Sequence, residues 1–267
     1  MNKGDFPFIA LLLLLAGFIW LRDLVWISSV EDSLPIIIAI PLFIWLGRPW
    51  TFRENFLPLP VKSLFFGALL CMFGILFNLT LMLAIGWITF LWAFLSTRLI
   101  QEKKFSAKRL LVLPFLSFPW ITLDGETLSW WFRLSGTWTA EQLFSLLKFD
   151  VIREGTTLLV LGLPFSIGPA CSGLNVLQSM LIAGSVLAYI YIGDQPSYWW
   201  NILFIAAIAW FANTLRILTI CVAALTISPE FALGLFHDWG GWLVIFIMFG
   251  LCTLIFSMQQ KNNHTVS

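Results

Sequence analysis

The chain predicts an all-α, polytopic integral membrane protein of about eight transmembrane helices, with a small extracytoplasmic amphipathic or hairpin segment before the sixth. Three observations predict it. Of the 267 residues, 60% are hydrophobic and only 11% charged, against about a quarter charged in an ordinary soluble domain. Mean hydropathy is +0.91. Several apolar runs approach the roughly 20 helical residues needed to cross a bilayer core about 30 Å thick. Low-complexity linkers and fixed-period repeats are absent, so residues 1–267 read as a single membrane domain. Within it, 1–123 are N-terminal helices, 124–170 an extracytoplasmic segment, 171–256 the helices of the candidate site and 257–267 a cytoplasmic tail.

The predicted spans follow in order. The first covers residues 6–20, the second 34–46, the third 63–78 and the fourth 81–96. A short fifth lies at 110–123, and three clearer ones at 171–192, 199–225 and 239–256. Spans two and five carry prolines (Pro35, Pro41, Pro114, Pro119), so either can be re-entrant or broken. Spans three and four are separated only around Asn78–Thr80. Lys3 ahead of a leucine run imitates a signal peptide. No small-x-small cleavage site follows Leu15, and Arg22-Asp23 comes at once, so this run reads as a retained span.

Basic residues orient the chain. Arg48, Arg53 and Lys62 follow span two, and Arg98, Lys103, Lys104, Lys108 and Arg109 follow span four. Lys261 follows span eight. The opposite loops carry Asp23, Glu31 and Asp32, then the mixed acidic stretch 124–154. The positive-inside rule therefore puts both termini in the cytoplasm, although the loop 193–197 contributes only Asp194. The 15 tryptophans read as interfacial anchors. A net charge of +1 offers no basic field to nucleic acid.

Three polar residues fall at one predicted depth on this map. Cys171 opens span six on the outer side. Arg216 lies 17 residues into span seven, about 25 Å along the helix. His237 precedes span eight, again outside. A thiol at a helix start is favoured as thiolate by the dipole and the free backbone N–H groups. Pro169 suits a first helical turn, Ser172 could supply a cap, and Gly173 leaves room for a substrate backbone. Asn213, one turn before Arg216, can hold the guanidinium; Arg216 could instead only snorkel to headgroups. Asp238 could orient the imidazole of His237, which could equally be an interfacial histidine among Phe236, Trp239 and Trp242.

Together these residues suit thiol-nucleophile chemistry. A histidine can take the thiol proton and return it to a leaving amine, and an arginine can stabilise the thiolate or an oxyanion. No metal-ligand spacing and no phosphate-binding glycine loop appears, so neither metal nor cofactor is expected. Cys71, Cys171, Cys221 and Cys252 form no C-x-x-C pair, against a thiol–disulfide oxidoreductase. Cys71, Cys221 and Cys252 read as small buried apolar residues. A transporter with an anion site at Arg216 and Asn213 is the alternative from another class.

The run Ala170-Cys171-Ser172-Gly173-Leu174, then Asn213-Thr214-Leu215-Arg216-Ile217, then His237 before a final span, resembles the exosortase/archaeosortase family. Arg153-Glu154-Gly155, the β-prone 156–161, Gly162 and Pro164 lead to the cysteine in the same way. The resemblance covers about residues 143–256. Leu174-Asn175 departs from the Ile-Arg many members carry, which leaves the sorting motif open. The resemblance implies a multi-pass cysteine peptidase or transpeptidase of the plasma membrane, with its active site outside. Its partners would be exported proteins bearing a C-terminal sorting motif, a transmembrane helix and a basic tail, within membrane lipid. Carried over, Cys171 is the nucleophile, Arg216 the thiolate or transition-state stabiliser and His237 the general acid/base. Asn213, Ser172, Gly173 and Asp238 support them. A hydrolase ending in water fits the same residues. The segment 124–168, amphipathic around Leu143, Phe144 and Leu147, would lie over the site as a docking cover or as an interfacial helix.

Overall fold

The computed structural model describes residues 5–28, 30–54, 57–168 and 173–264. The fold is mostly helical and divides into two compact units, Met1–Asp124 and Gly125–Ser267. Among the described residues, four helices are long and apolar enough to cross a membrane: Thr80–Arg98, Leu174–Ile192, Tyr198–Thr226 and the stretch Leu243–Lys261. Three shorter apolar helices accompany them. Large apolar side chains such as Leu13, Leu14, Phe65, Phe66 and Phe246 face outward. That is the pattern of helices whose solvent is lipid.

The first unit begins with α1 (Phe6–Leu21), a 3-10 turn (Val25–Ile27) and α2 (Val30–Leu46). Helix α2 continues through Pro35 and Pro41, so the prolines do not break it. Each removes one backbone donor, a loss that surrounding helices can offset. Helices α3 (Val61–Leu76) and α4 (Thr80–Arg98) form a tight hairpin. Small residues let their backbones meet: a Cβ on Gly86 would lie 2.6 Å from Cys71 Sγ and 3.0 Å from the Gly67 carbonyl oxygen. The turn between them passes through Asn78 at φ 57°, a left-handed conformation that asparagine tolerates. The Asp124 carboxylate caps α4 from a distance, accepting from the N–H groups of Thr80 (3.0 Å) and Leu81 (2.5 Å). At the other end of α4, Arg98 donates to buried Asp5 at 2.6 Å and to the Leu57 carbonyl at 2.8 Å.

The short fifth span is broken, the alternative its prolines left open. After α5 (Gln101–Leu110), residues 110–123 form two short helices, α6 (Val112–Leu116) and α7 (Trp120–Asp124). Five residues reach only about 7.5 Å, far less than a bilayer core. Pro119 cannot donate a backbone hydrogen bond, so the helix stops at Ser117 and restarts with the Leu123 N–H bonded to the Pro119 carbonyl.

The second unit opens with α8 (Glu126–Leu146), followed by strands β1 (Val151–Glu154), β2 (Thr157–Val160) and β3 (Leu163–Ser166) in an antiparallel meander. A hairpin was expected, and a third strand completes a small sheet in an otherwise helical fold. Its turns are chemically explicit. Gly155 alone has positive φ (61°) in the first, the II′ pattern, whereas Leu161 (50°) and Gly162 (81°) share it in the second, the I′ pattern. Leu158, Val160 and Phe165 join Ala140 and Phe144 of α8 in one apolar cluster with Ile217, Ile220, Cys221 and Ala224.

Those last four belong to α10 (Tyr198–Thr226), which follows α9 (Leu174–Ile192) and precedes α11 (Pro229–Leu233) and α12 (Leu235–His264). Helices α9, α10 and α12 pack on one another. At 29 residues, α10 is about 43 Å long and exceeds a bilayer core of about 30 Å. Its C-terminal part is the piece clad by α8 and the sheet.

Candidate functional site

Among the described site residues, Gly173 meets Asn213 of α10, and Arg216 lies on the next turn of the same helix. Gly173 occupies the N-cap of α9 in a left-handed conformation, φ 81°. Its carbonyl accepts the first helical bond, from the Leu177 N–H at 2.8 Å. A Cβ built on Gly173 would lie 2.3 Å from Asn213 Cγ and 2.6 Å from Asn213 Oδ1. The glycine is therefore seated directly against the Asn213 side chain, which is only 1% exposed. Gly173 stands at the N-cap of α9, where the chain enters through a φ that favours glycine. One expectation changes here. The space left by its missing side chain is filled by Asn213, not kept for a substrate backbone.

Arg216 lies one helical turn beyond Asn213, half-buried, and its carbonyl accepts from the Thr219 hydroxyl at 2.9 Å. It stands 18 residues past Tyr198, about 27 Å along α10. That is near the end of a core about 30 Å thick.

Helix α8 meets the same stretch of α10 from another side. Trp210 Nε1–H donates to Ser135 Oγ at 2.9 Å. A Cβ on Gly136 would approach Ile217 Cδ1 at 3.0 Å and Thr214 Oγ1 at 3.7 Å. Arg133 reaches from α8 to the Ile167 carbonyl at 3.4 Å, at the exit of β3 toward the cysteine motif. Ser135, Gly136 and Arg133 went unassigned in the sequence. Their one signal is Ser135-Gly136, two small residues in a helix otherwise rich in aromatic and long side chains. Past Arg216, α8 and α10 leave an open apolar groove of about 530 Å³, bordered by Leu143, Leu147, Leu218 and Val222.

Cys171 and Ser172 lie outside the described residues. His237 and Asp238 fall in the first turn of α12, and only their backbone is described. Helices α9 and α12 both begin at the end where α10 runs out, which follows from the short connections 193–197 and 227–234. Beside that end, Ser228 caps α11 by accepting from the Phe231 N–H at 3.1 Å. A hydrogen bond from its own backbone, then one from Ser228, holds the Glu230 carboxyl below its usual range.

Fold and apolar surface define a membrane-embedded helical protein. The transmembrane exosortase family model matches residues 26–256, and the chain belongs to that family. Membership supports a transpeptidase-type role at a membrane in general. No curated protein and no solved structure matches the chain.

Proposed function

We propose that the protein is a cysteine transpeptidase that cleaves a C-terminal sorting signal from exported proteins at the outer membrane–water boundary. The observation that carries this reading is the seating of Gly173 on Asn213. Two residues after Cys171, the chain lies against the helix turn that leads to Arg216. A substrate anchored by its own C-terminal helix would hold its cleavage motif at that depth.

The thiolate of Cys171 attacks the scissile carbonyl carbon, and the carbonyl electrons move onto oxygen. Arg216 stabilises that oxyanion, a contribution of about 3–4 kcal/mol for one well-placed donor in a water-poor site. Collapse breaks the C–N bond, and His237 delivers the proton it took from the thiol to the leaving amine. The product is a thioester plus the released helical tail. An acceptor nucleophile then attacks the thioester, gives its proton to His237 and regenerates the thiol. Asp238 supports the imidazole, and Asn213 and Ser172 support the cysteine loop. The basic loops of the opposite side support a cytoplasmic location for both termini and an outward-facing site.

Co-expression with a tail-bearing substrate, comparing wild type and Cys171→Ala by intact mass, tests the reading. Tail loss with wild type alone is the expected result, and the mass of the new C-terminus distinguishes transfer from hydrolysis. Equal cleavage by both would remove Cys171 from the chemistry. Solute uptake that survives loss of Cys171 would favour a transporter.

A further inference from the structure

At the end of the core opposite the candidate site, α10 and α12 are joined by two amides. Asn201 Nδ2–H donates to Gln259 Oε1 and Gln259 Nε2–H donates to Asn201 Oδ1, both at 3.2 Å. Asn201 is buried and also donates to the Ser197 carbonyl at 2.9 Å. Gln259 is half-buried at the C-terminal end of the stretch Leu243–Lys261, and it supplies the partner without which the buried Asn201 amide would be costly.

Apolar packing alone leaves the axial position of α12 weakly determined. Its span is 22% buried, against 44–50% for the other three. The described side chains it buries are Val244, Met248, Cys252 and Phe256, spaced every four residues. A slide of four residues, about 6 Å, would set one apolar residue where another had been. The same slide would separate both amides. At the site end, α12 meets α11 at Gly234, whose backbone is non-helical (φ −96°, ψ −112°).

We propose that Asn201 and Gln259 are positioning residues: their reciprocal amide pair locks the register of α12 on α10 and thereby sets the height of His237 relative to Arg216. A buried polar pair fixing register is a known use of such residues in helix bundles. The inference rests on the catalytic reading of His237. From the pair, Arg216 is 15 residues along α10 and His237 is 22 residues along α12, about 22 Å and about 33 Å of rise, so the side chains must bridge an axial offset of about 10 Å that a slip of one helix changes directly. A displacement near 1 Å already costs about a hundredfold in a well-aligned site, and a partly populated slip of several ångströms costs less than its full effect.

The test has two arms. In the kinetic arm, Asn201→Leu and Gln259→Leu each lower kcat for tail removal about tenfold, with KM and membrane abundance unchanged. The swap of Asn201→Gln with Gln259→Asn keeps both amides and the summed side-chain length, and stays within about threefold of wild type. Wild-type kcat in the leucine variants, or a swap as impaired as either of them, overturns the proposal.

The second arm reads register without activity. Ile208 lies seven residues past Asn201, and native Cys252 seven before Gln259, so the two share the faces of the pair. With the other cysteines replaced by alanine, Ile208→Cys should oxidise to a disulfide with Cys252. Adding Asn201→Leu should lower that yield and raise it for Ala212→Cys, one turn away. Unchanged yields overturn the register lock. If Cys171→Ala processes substrate normally, the catalytic reading has failed, and the disulfide yields still decide the register.

Discussion

Replacing Gly173 by alanine tests the seating of the cysteine motif on α10. The new Cβ must adopt φ 81°, which costs an L-residue about 1–2 kcal/mol. It must also share space with Asn213, whose Cγ would be 2.3 Å away. Asn213 is buried in a packed helix face, so relief requires a shift of α9 or a changed rotamer, about 1–3 kcal/mol for an overpacked interior. The two effects together come to about 2–5 kcal/mol, concentrated two residues from Cys171. Gly155→Ala is the control: it has φ 61° and nothing within 4 Å of its Cβ position, so it carries only the backbone part. The assay is thermal unfolding in detergent alongside the rate of tail removal. Gly173→Ala should lose both stability and rate, and Gly155→Ala should lose a little stability only. Adding Asn213→Gly to Gly173→Ala should return the crowding part, read as a positive coupling in the double-mutant cycle. Equal behaviour of the two alanine variants would falsify the contact between the cysteine motif and α10.

Two further outcomes follow. Arg216→Lys keeps the charge but not the planar fork. It should retain more tail-removal activity than Arg216→Ala while staying at least about tenfold below wild type, measured under single-turnover conditions. Asp124→Ala removes the carboxylate that accepts from the Thr80 and Leu81 N–H groups. It should destabilise the first unit by about 1–2 kcal/mol, seen in thermal unfolding, with Cys171 alkylation by maleimide unchanged.

Local patterns carried most of the helical fold. Runs of apolar residues around α1, α2, α3, α4, α9, α10 and α12 announce themselves because hydropathy over a span is a sum along the chain, indifferent to neighbours. Arg216 and Asn213 were readable for a related reason: polar groups in such a run are costly, and their spacing of three sets them on one helix face. The fifth span stayed open between crossing and broken, because 110–123 has the composition of a crossing helix while Pro119 and Ser117 decide its continuity residue by residue. The third strand was missed because its alternation is only four residues long and includes Pro164.

Composition, apolar run length and charge placement, all properties of the chain by itself, determined that this is a multi-span membrane protein with a candidate thiol site at one edge. Only the tertiary structure decided which residues meet across helices. Gly173 must lack a side chain because Asn213, forty positions away, fills the space beside it. Gly136 lets α8 come close to α10, with a Cβ there only 3.0 Å from Ile217 Cδ1. Asn201 and Gln259 are unremarkable polar residues in sequence, and become a pair only because α10 and α12 run side by side. Helix formation is settled within a few turns of chain, whereas close packing between helices depends on shapes brought together from distant positions.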